Sequence, residues 1–240
     1  MRAYWRDSRA PRYSLLFALP LFVVYQVLVV VESPSPARGL RNGADVILQG
    51  LFSEVAGRHG PLLFMVCLVG VGIWLIVRDL HSHRDLHAGV LALMLGEATL
   101  LALVFGLLVS VLTAQLVRPT ALLAQGSIAA MGTGTRLMLS LGAGLYEELL
   151  FRVLLVGSLA WAGRRLLGWR PVVAGVWAAL VGALVFSAFH YIGPYGDALQ
   201  VYSFVFRAIA GLAFSALFLL RGFGITAWTH ALYDAFLLLR

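Results

Sequence analysis

No lysine occurs in this 240-residue chain; all 18 of its basic residues are arginine. Charge is scarce altogether. Only 12% of residues are charged, where a soluble domain carries about 25%. There is one cysteine, Cys67, which excludes an intrachain disulfide. It lies inside an apolar run and reads as a small core residue. No alternating strand pattern punctuated by turn signals is present, which argues against a β-barrel. Internal repeats and low-complexity tails are absent as well. What remains is apolar: 61% of the chain, arranged in long runs. A run of about 20 such residues crosses a bilayer core as a helix. The composition alone therefore makes this an integral membrane protein.

The formal net charge is +7. In a soluble protein that balance would suggest nucleic acid. Here the arginines cluster between apolar runs, where they act as topology signals and lipid-headgroup contacts. Arg2, Arg6, Arg9 and Arg12 precede the first run. That run, Tyr13 to Val31, is too long for the apolar core of a signal peptide and reads as a retained helix. The hydropathy predicts seven spans, at roughly 13–31, 60–78, 89–117, 135–162, 171–192, 198–221 and 224–239. Only helices satisfy their own backbone in lipid, so the expected fold is all-α, a polytopic transmembrane bundle. Ser33-Pro34-Ser35-Pro36 breaks the chain after the first span. Val46, Ile47, Leu51 and Val55 follow at near-helical spacing, which predicts a short amphipathic helix at the interface. The arginine distribution places the N-terminus in the cytoplasm. On that alternation Arg78, Arg84, Arg164, Arg165 and Arg170 lie inside, whereas Arg118 and Arg136 fall outside.

The informative residues are those that do not belong in lipid. The fourth expected span reads Leu145-Tyr146-Glu147-Glu148-Leu149-Leu150-Phe151-Arg152. Each central Asp or Arg costs about 2.5–3.5 kcal/mol on insertion scales. Glu148 and Arg152 are four apart, share a face and can pair. Glu147 lies about 100° round the helix from Glu148, without that partner. The fifth span ends Phe186-Ser187-Ala188-Phe189-His190. The seventh contains His230 and Asp234, again four apart. Three helices thus each present acid or imidazole groups, which a bundle can gather into one pocket. No cysteine or serine nucleophile setting accompanies them. A carboxylate with histidines can activate water and stabilise an oxyanion. The same set could instead hold a divalent metal.

The succession E-E-x-x-x-R, F-x-x-x-H and H-x-x-x-N/D resembles the CPBP family. That family comprises CAAX prenyl endopeptidases together with bacteriocin-processing and immunity-associated (ABI) proteins. Here the pattern is Glu147, Glu148 and Arg152; then Phe186 and His190; then His230 and Asp234. It covers about residues 135–239. The resemblance implies an intramembrane endopeptidase with catalytic residues Glu147, Glu148, His190, His230 and Asp234, supported by Arg152 and Phe186. In that picture Glu147 activates water with help from His190. His230 and residue 234 stabilise the oxyanion. Glu148 with Arg152 orients the helix or the base. No cofactor is required if the enzyme is of glutamate type; zinc, held by Glu147, His190 and His230, is the alternative. The prenyl-protease branch carries Asn where this chain has Asp234. An ionised aspartate cannot donate to an oxyanion, so it must be protonated, orient His230 or bind metal.

Residues 1–134 are read as N-terminal transmembrane helices with an interfacial segment, and 135–240 as the catalytic helix core. The expected partners are membrane lipids and a membrane-associated protein or peptide substrate, lipidated or not; nucleic acid is not one. The expected setting is a bacterial inner membrane. A non-proteolytic ABI-like immunity or scaffold protein is the rival on the same fold. A proton-coupled transporter is the third reading, but it predicts paired repeats that are not found. His81, His83 and His87 could mimic a metal cluster and read as a solvated loop. Glu97 and Arg207 lie inside expected spans, as partners for one another or as support for the pocket.

Overall fold

Proline opens several of the long helices. Pro11, Pro61 and Pro171 each sit in a first helical turn, where a missing N–H costs nothing. The computed structural model describes residues 2–32, 40–83, 85–117, 131–193 and 196–238. Its helices are α1 (Arg2–Asp7), α2 (Pro11–Val31), α3 (Gly43–Ala56), α4 (Gly60–Ser82), α5 (Ala88–Leu116), α6 (Thr133–Gly142), a π-helical stretch (Ala143–Val156), α7 (Gly157–Arg165), α8 (Pro171–Phe189), α9 (Val201–Arg221) and α10 (Phe223–Leu238). A single 3₁₀ turn, Gly57–His59, joins α3 to α4. No strand occurs among the described residues. The Ser33–Pro36 break, Arg84 and Arg118 lie outside them.

Five segments are long and apolar enough to cross a bilayer: Pro11–Val31, Gly43–Ser82, Ala88–Leu116, Pro171–Phe189 and Val201–Arg221. The count of seven spans is thus approximate. The expected span 135–162 is built from α6, the π stretch and α7 laid end to end. The last expected span, α10, has 16 residues, short for a bilayer core of roughly 30 Å. Many large apolar side chains of α4 and α5 face outward, as lipid-facing helices require. Cys67 is exposed on α4, which corrects its assignment to the core. A small apolar residue is as much at home against lipid as inside the bundle.

The helix α10 is the centre of the bundle, packing against α2, α5, α6, α9 and the π stretch. It follows Gly222, whose φ of 79° makes the turn out of α9. That conformation favours glycine. Small residues let the neighbours approach. Ala227, Ala231 and Ala235 are buried at four-residue intervals along α10, the small-residue pattern of close helix pairs in membranes. Opposite them stands Gly144. A Cβ on Gly144 would lie 2.4 Å from the Ala227 carbonyl oxygen and 2.7 Å from the Ala231 nitrogen. These are backbone atoms and cannot swing away. Gly144→Ala is therefore expected to lower stability by about 1–3 kcal/mol, as overpacking does. It should lower the melting temperature in detergent. A variant as stable as wild type would show that the two helices separate without cost.

The segment after the first span folds as the helix α3, as its periodicity predicts. Its buried face is polar as well as apolar. Asn42, Asp45 and Leu48 are all buried. Asp45 accepts from Tyr25 Oη at 2.8 Å, Arg41 Nη1 at 2.9 Å and Gln49 Nε2 at 2.7 Å. The helix is thereby tied to α2.

Candidate active site

The expectation of one uninterrupted α-helix through Glu147 and Glu148 is corrected by the π stretch. Glycines at 142 and 144 weaken the α-helical preference on entry. They also admit neighbours from two sides, Tyr25 and Asn42 at Gly142 and the α10 backbone at Gly144. Wide π turns occur frequently at functional sites. Both carboxylates of this stretch are buried, Glu147 at 6% exposure and Glu148 at 0%.

Their partners differ. Glu148 is engaged with two cations or potential cations. Its Oε1 lies 3.2 Å from Arg152 Nη1 and 2.7 Å from His230 Nδ1. Arg152 is itself buried, with its guanidinium 4.2 Å above the Phe186 ring and 5.3 Å from that of Phe214. Such cation–π contacts partly replace lost hydration. Glu147 instead accepts a neutral amide hydrogen bond, from Asn42 Nδ2 at 2.8 Å. Both His190 and His230 act electrostatically on its carboxylate.

His190 terminates α8, and its Nδ1 lies 2.9 Å from the Phe186 carbonyl oxygen. If Nδ1 carries the proton, it donates there and leaves Nε2 as a free acceptor. His230 stacks on Phe214, with centroids 4.3 Å apart and planes at 21°. Its Nε2 lies 3.6 Å from Asp234 Oδ2, too far for a hydrogen bond. Phe186 stands between the imidazoles, 4.9 Å from His190 and 6.3 Å from His230 by ring centroids. The structure therefore gathers Glu147, Glu148, Arg152, Phe186, His190, His230 and Asp234 around one buried centre.

Two residues of this centre have no counterpart in the sequence pattern. Phe214, on α9, supplies the face on which His230 rests. Asn42 precedes α3 and lies 105 residues from Glu147. The one signal for Asn42 was its type: Asn-Gly-Ala-Asp opening a periodic apolar run is a helix N-cap signature. The polar residues of other spans go elsewhere. Glu97 pairs with Arg221, through Nε and Nη2 at 2.6 Å each, and accepts from Tyr4. Arg207 pairs with Asp197. The anticipated Glu97–Arg207 partnership is thus replaced by two separate pairs, and Arg207 also acts electrostatically on His190 and Asp234. Of the loop histidines, His83 lies 3.4 Å from Asp79, and His81 turns back to the Val77 carbonyl.

A zinc ion at Glu147, His190 and His230 can be tested against these contacts. Among the described residues no three His, Cys, Asp or Glu side chains converge as a metal-holding group. His230 Nδ1 is turned to Glu148, and Glu147 Oε1 already accepts from Asn42. These contacts leave His190 Nε2, His230 Nε2 and the second oxygen of Glu147 as the remaining donor atoms.

Residues 129–236 match the family model of type II CAAX prenyl endopeptidase Rce1-like proteins. Neither a curated protein nor a solved structure matches the chain. The matched stretch contains every residue of the quoted pattern, from Glu147 to Asp234. Through residues 129–236 this integral membrane protein is thus similar to the CAAX-protease (CPBP) family of intramembrane endopeptidases.

Proposed function

We propose that the chain hydrolyses a peptide bond at or near the membrane by a water activated at Glu147, with residues 135–240 as its catalytic core. One observation carries this reading. Of two adjacent buried carboxylates, Glu148 is neutralised by Arg152 and His230, while Glu147 meets only a neutral amide at hydrogen-bond distance. Glu147 is therefore the carboxylate free to exchange a proton.

The step runs as follows. Glu147 takes a proton from water as the water oxygen attacks the scissile carbonyl carbon. His190 Nε2 holds the same water. The carbonyl oxygen becomes the oxyanion of a tetrahedral intermediate. Protonated His230, fixed through Nδ1 by Glu148, donates from Nε2 to that oxyanion. Asp234 lies beyond hydrogen-bond reach of Nε2 and leaves this donor free; its carboxylate balances the imidazolium charge and orients the ring. The intermediate collapses as the C–N bond breaks, and the proton on Glu147 passes to the leaving amine. Preorganised donors of this kind act strongly where water is excluded.

The substrate class follows from the family and from the surroundings of the site. We assign it as the C-terminal or leader segment of a membrane-associated protein or peptide. An apolar cavity of about 500 Å³ opens on the α5, α9 and α10 side. Its walls include Ala102, Gly106, Tyr202, Phe206, Tyr233 and Phe236. It suits an apolar or lipidated tail. Arg2, Arg6 and Arg9 ahead of α2, with Arg12 in its first turn, support a cytoplasmic N-terminus, in a bacterial inner membrane.

The test is cleavage of a library of membrane-proximal C-terminal peptides by the detergent-purified protein, read by mass spectrometry. The mechanism requires no cofactor, so turnover should be unchanged by a zinc chelator. Loss of turnover on chelation, restored by zinc, would overturn the glutamate mechanism. A folded protein inert on every peptide would favour the scaffold reading.

A further inference from the structure

The polar contact to Glu147 comes from outside the family-matched stretch. We infer that Asn42 is a positioning residue of the hydrolytic site, so that the catalytic carboxylate is aimed by the N-terminal half of the chain. This rests on the reading of Glu147 as the base.

The orientation of the Asn42 amide is fixed by its own neighbours. Its Oδ1 accepts from the Ala44 backbone N–H at 2.9 Å and caps α3. The amide has one acceptor end and one donor end. With the oxygen committed to the cap, the NH₂ must face Glu147, where Nδ2 lies 2.8 Å from Oε1. Among helix N-cap residues, Ser, Thr and Asp supply the acceptor. Asn adds the donor that a facing carboxylate needs.

The backbone around Asn42 is held on several sides. Its N–H points to Tyr25 Oη at 3.4 Å. That hydroxyl donates to Asp45, which is in turn fixed by Arg41 and Gln49. A Cβ on Gly142 would lie 2.8 Å from Asn42 Cβ, and one on Gly43 would lie 3.0 Å from the Phe189 ring. The Asn42–Gly43 corner is thus wedged between the residue that precedes the π stretch and the residue that precedes His190. Nothing else in the mechanism uses this corner. A neutral donor on one carboxylate oxygen fixes the rotamer of Glu147 and leaves the second oxygen for water. Misplacement of a catalytic group by about 1 Å can cost 100-fold in rate.

Two variants separate positioning from capping. Asn42→Ser and Asn42→Asp both retain a capping oxygen. The first shortens the side chain to one hydroxyl at the cap and withdraws the N–H from Glu147, and the second replaces that N–H with a carboxylate oxygen. Each would be compared with wild type in detergent for kcat, KM and melting temperature. Both should keep KM; Asn42→Ser should also keep the melting temperature, whereas Asn42→Asp, which sets a second carboxylate against buried Glu147, should lower it. Asn42→Ser should lose roughly 10-fold in kcat and Asn42→Asp roughly 100-fold. Wild-type kcat in both, or a loss of kcat in Asn42→Ser matched by a loss of thermal stability, would overturn the role. A wild type that cleaves nothing would sink the reading of Glu147 as a base. In that case carbodiimide labelling of Glu147, followed by mass spectrometry, decides the contact independently. Labelling several-fold faster in Asn42→Ser would show that the amide shields this carboxylate; unchanged labelling would show that it does not.

Discussion

Glu147→Gln should abolish peptide cleavage while leaving the protein as stable as wild type. Glutamine has the same shape, and its side-chain oxygen can still accept from Asn42 Nδ2. What it lacks is a site to take a proton from water. Positioned general acid–base groups contribute typically 10²–10⁴-fold, so kcat should fall by roughly that factor with KM held. The informative control is the neighbouring carboxylate. Glu148→Gln removes the negative charge beside Arg152 and His230, so activity and melting temperature should fall together. A Glu147→Gln enzyme with wild-type kcat would sink the mechanism. Equal behaviour of the two variants would remove the distinction between base and ion-pair partner on which it rests.

Much of the bundle was legible because lipid imposes a simple rule. Each long apolar run became a helix within a few residues of its expected ends. The pattern residues were legible for the opposite reason: acids and imidazoles inside apolar runs are costly and therefore conspicuous. Depth was not legible. On a bundle of full-length spans, His190, Glu147 and His230 sit at different levels. They meet because α10 is short and begins at the Gly222 turn, and because His190 ends α8 with its ring turned back toward Phe186. Nor was pairing between distant helices legible. Glu97 chose Arg221 over Arg207, since hydropathy fixes which residues are in a span but not which helix lies beside it. Asn42 was hidden by the same limit, as a cap residue whose second partner is far away in sequence. The π stretch was hidden because its spacing still puts Glu148 near Arg152, as an α-helix would.

Arg152→Met should be the most destabilising single change in the site. Arg152 is 1% exposed and Glu148 0%, so neither can turn to solvent. Removing one member of a buried pair leaves an uncompensated charge, which costs about 3–5 kcal/mol. The loss is not simply that of one contact. The pair is imperfectly satisfied: Glu148 Oε2 and Arg152 Nε have no hydrogen-bond partner among the described residues, and Nη2 reaches the Gly211 carbonyl only at 3.5 Å. The pair itself therefore contributes little net stability, and its half-removal is what costs. It follows that Glu148→Gln/Arg152→Met should regain most of the stability lost in Arg152→Met alone. Activity should not return, because His230 would no longer be anchored by a carboxylate at Nδ1. Thermal unfolding of the four proteins in detergent gives the coupling between the two sites directly. A positive coupling of several kcal/mol, with no recovery of cleavage, would mean that the ion pair serves to hold His230 in place. Additive losses would mean that Arg152 stabilises the bundle through Phe186 and Phe214 alone.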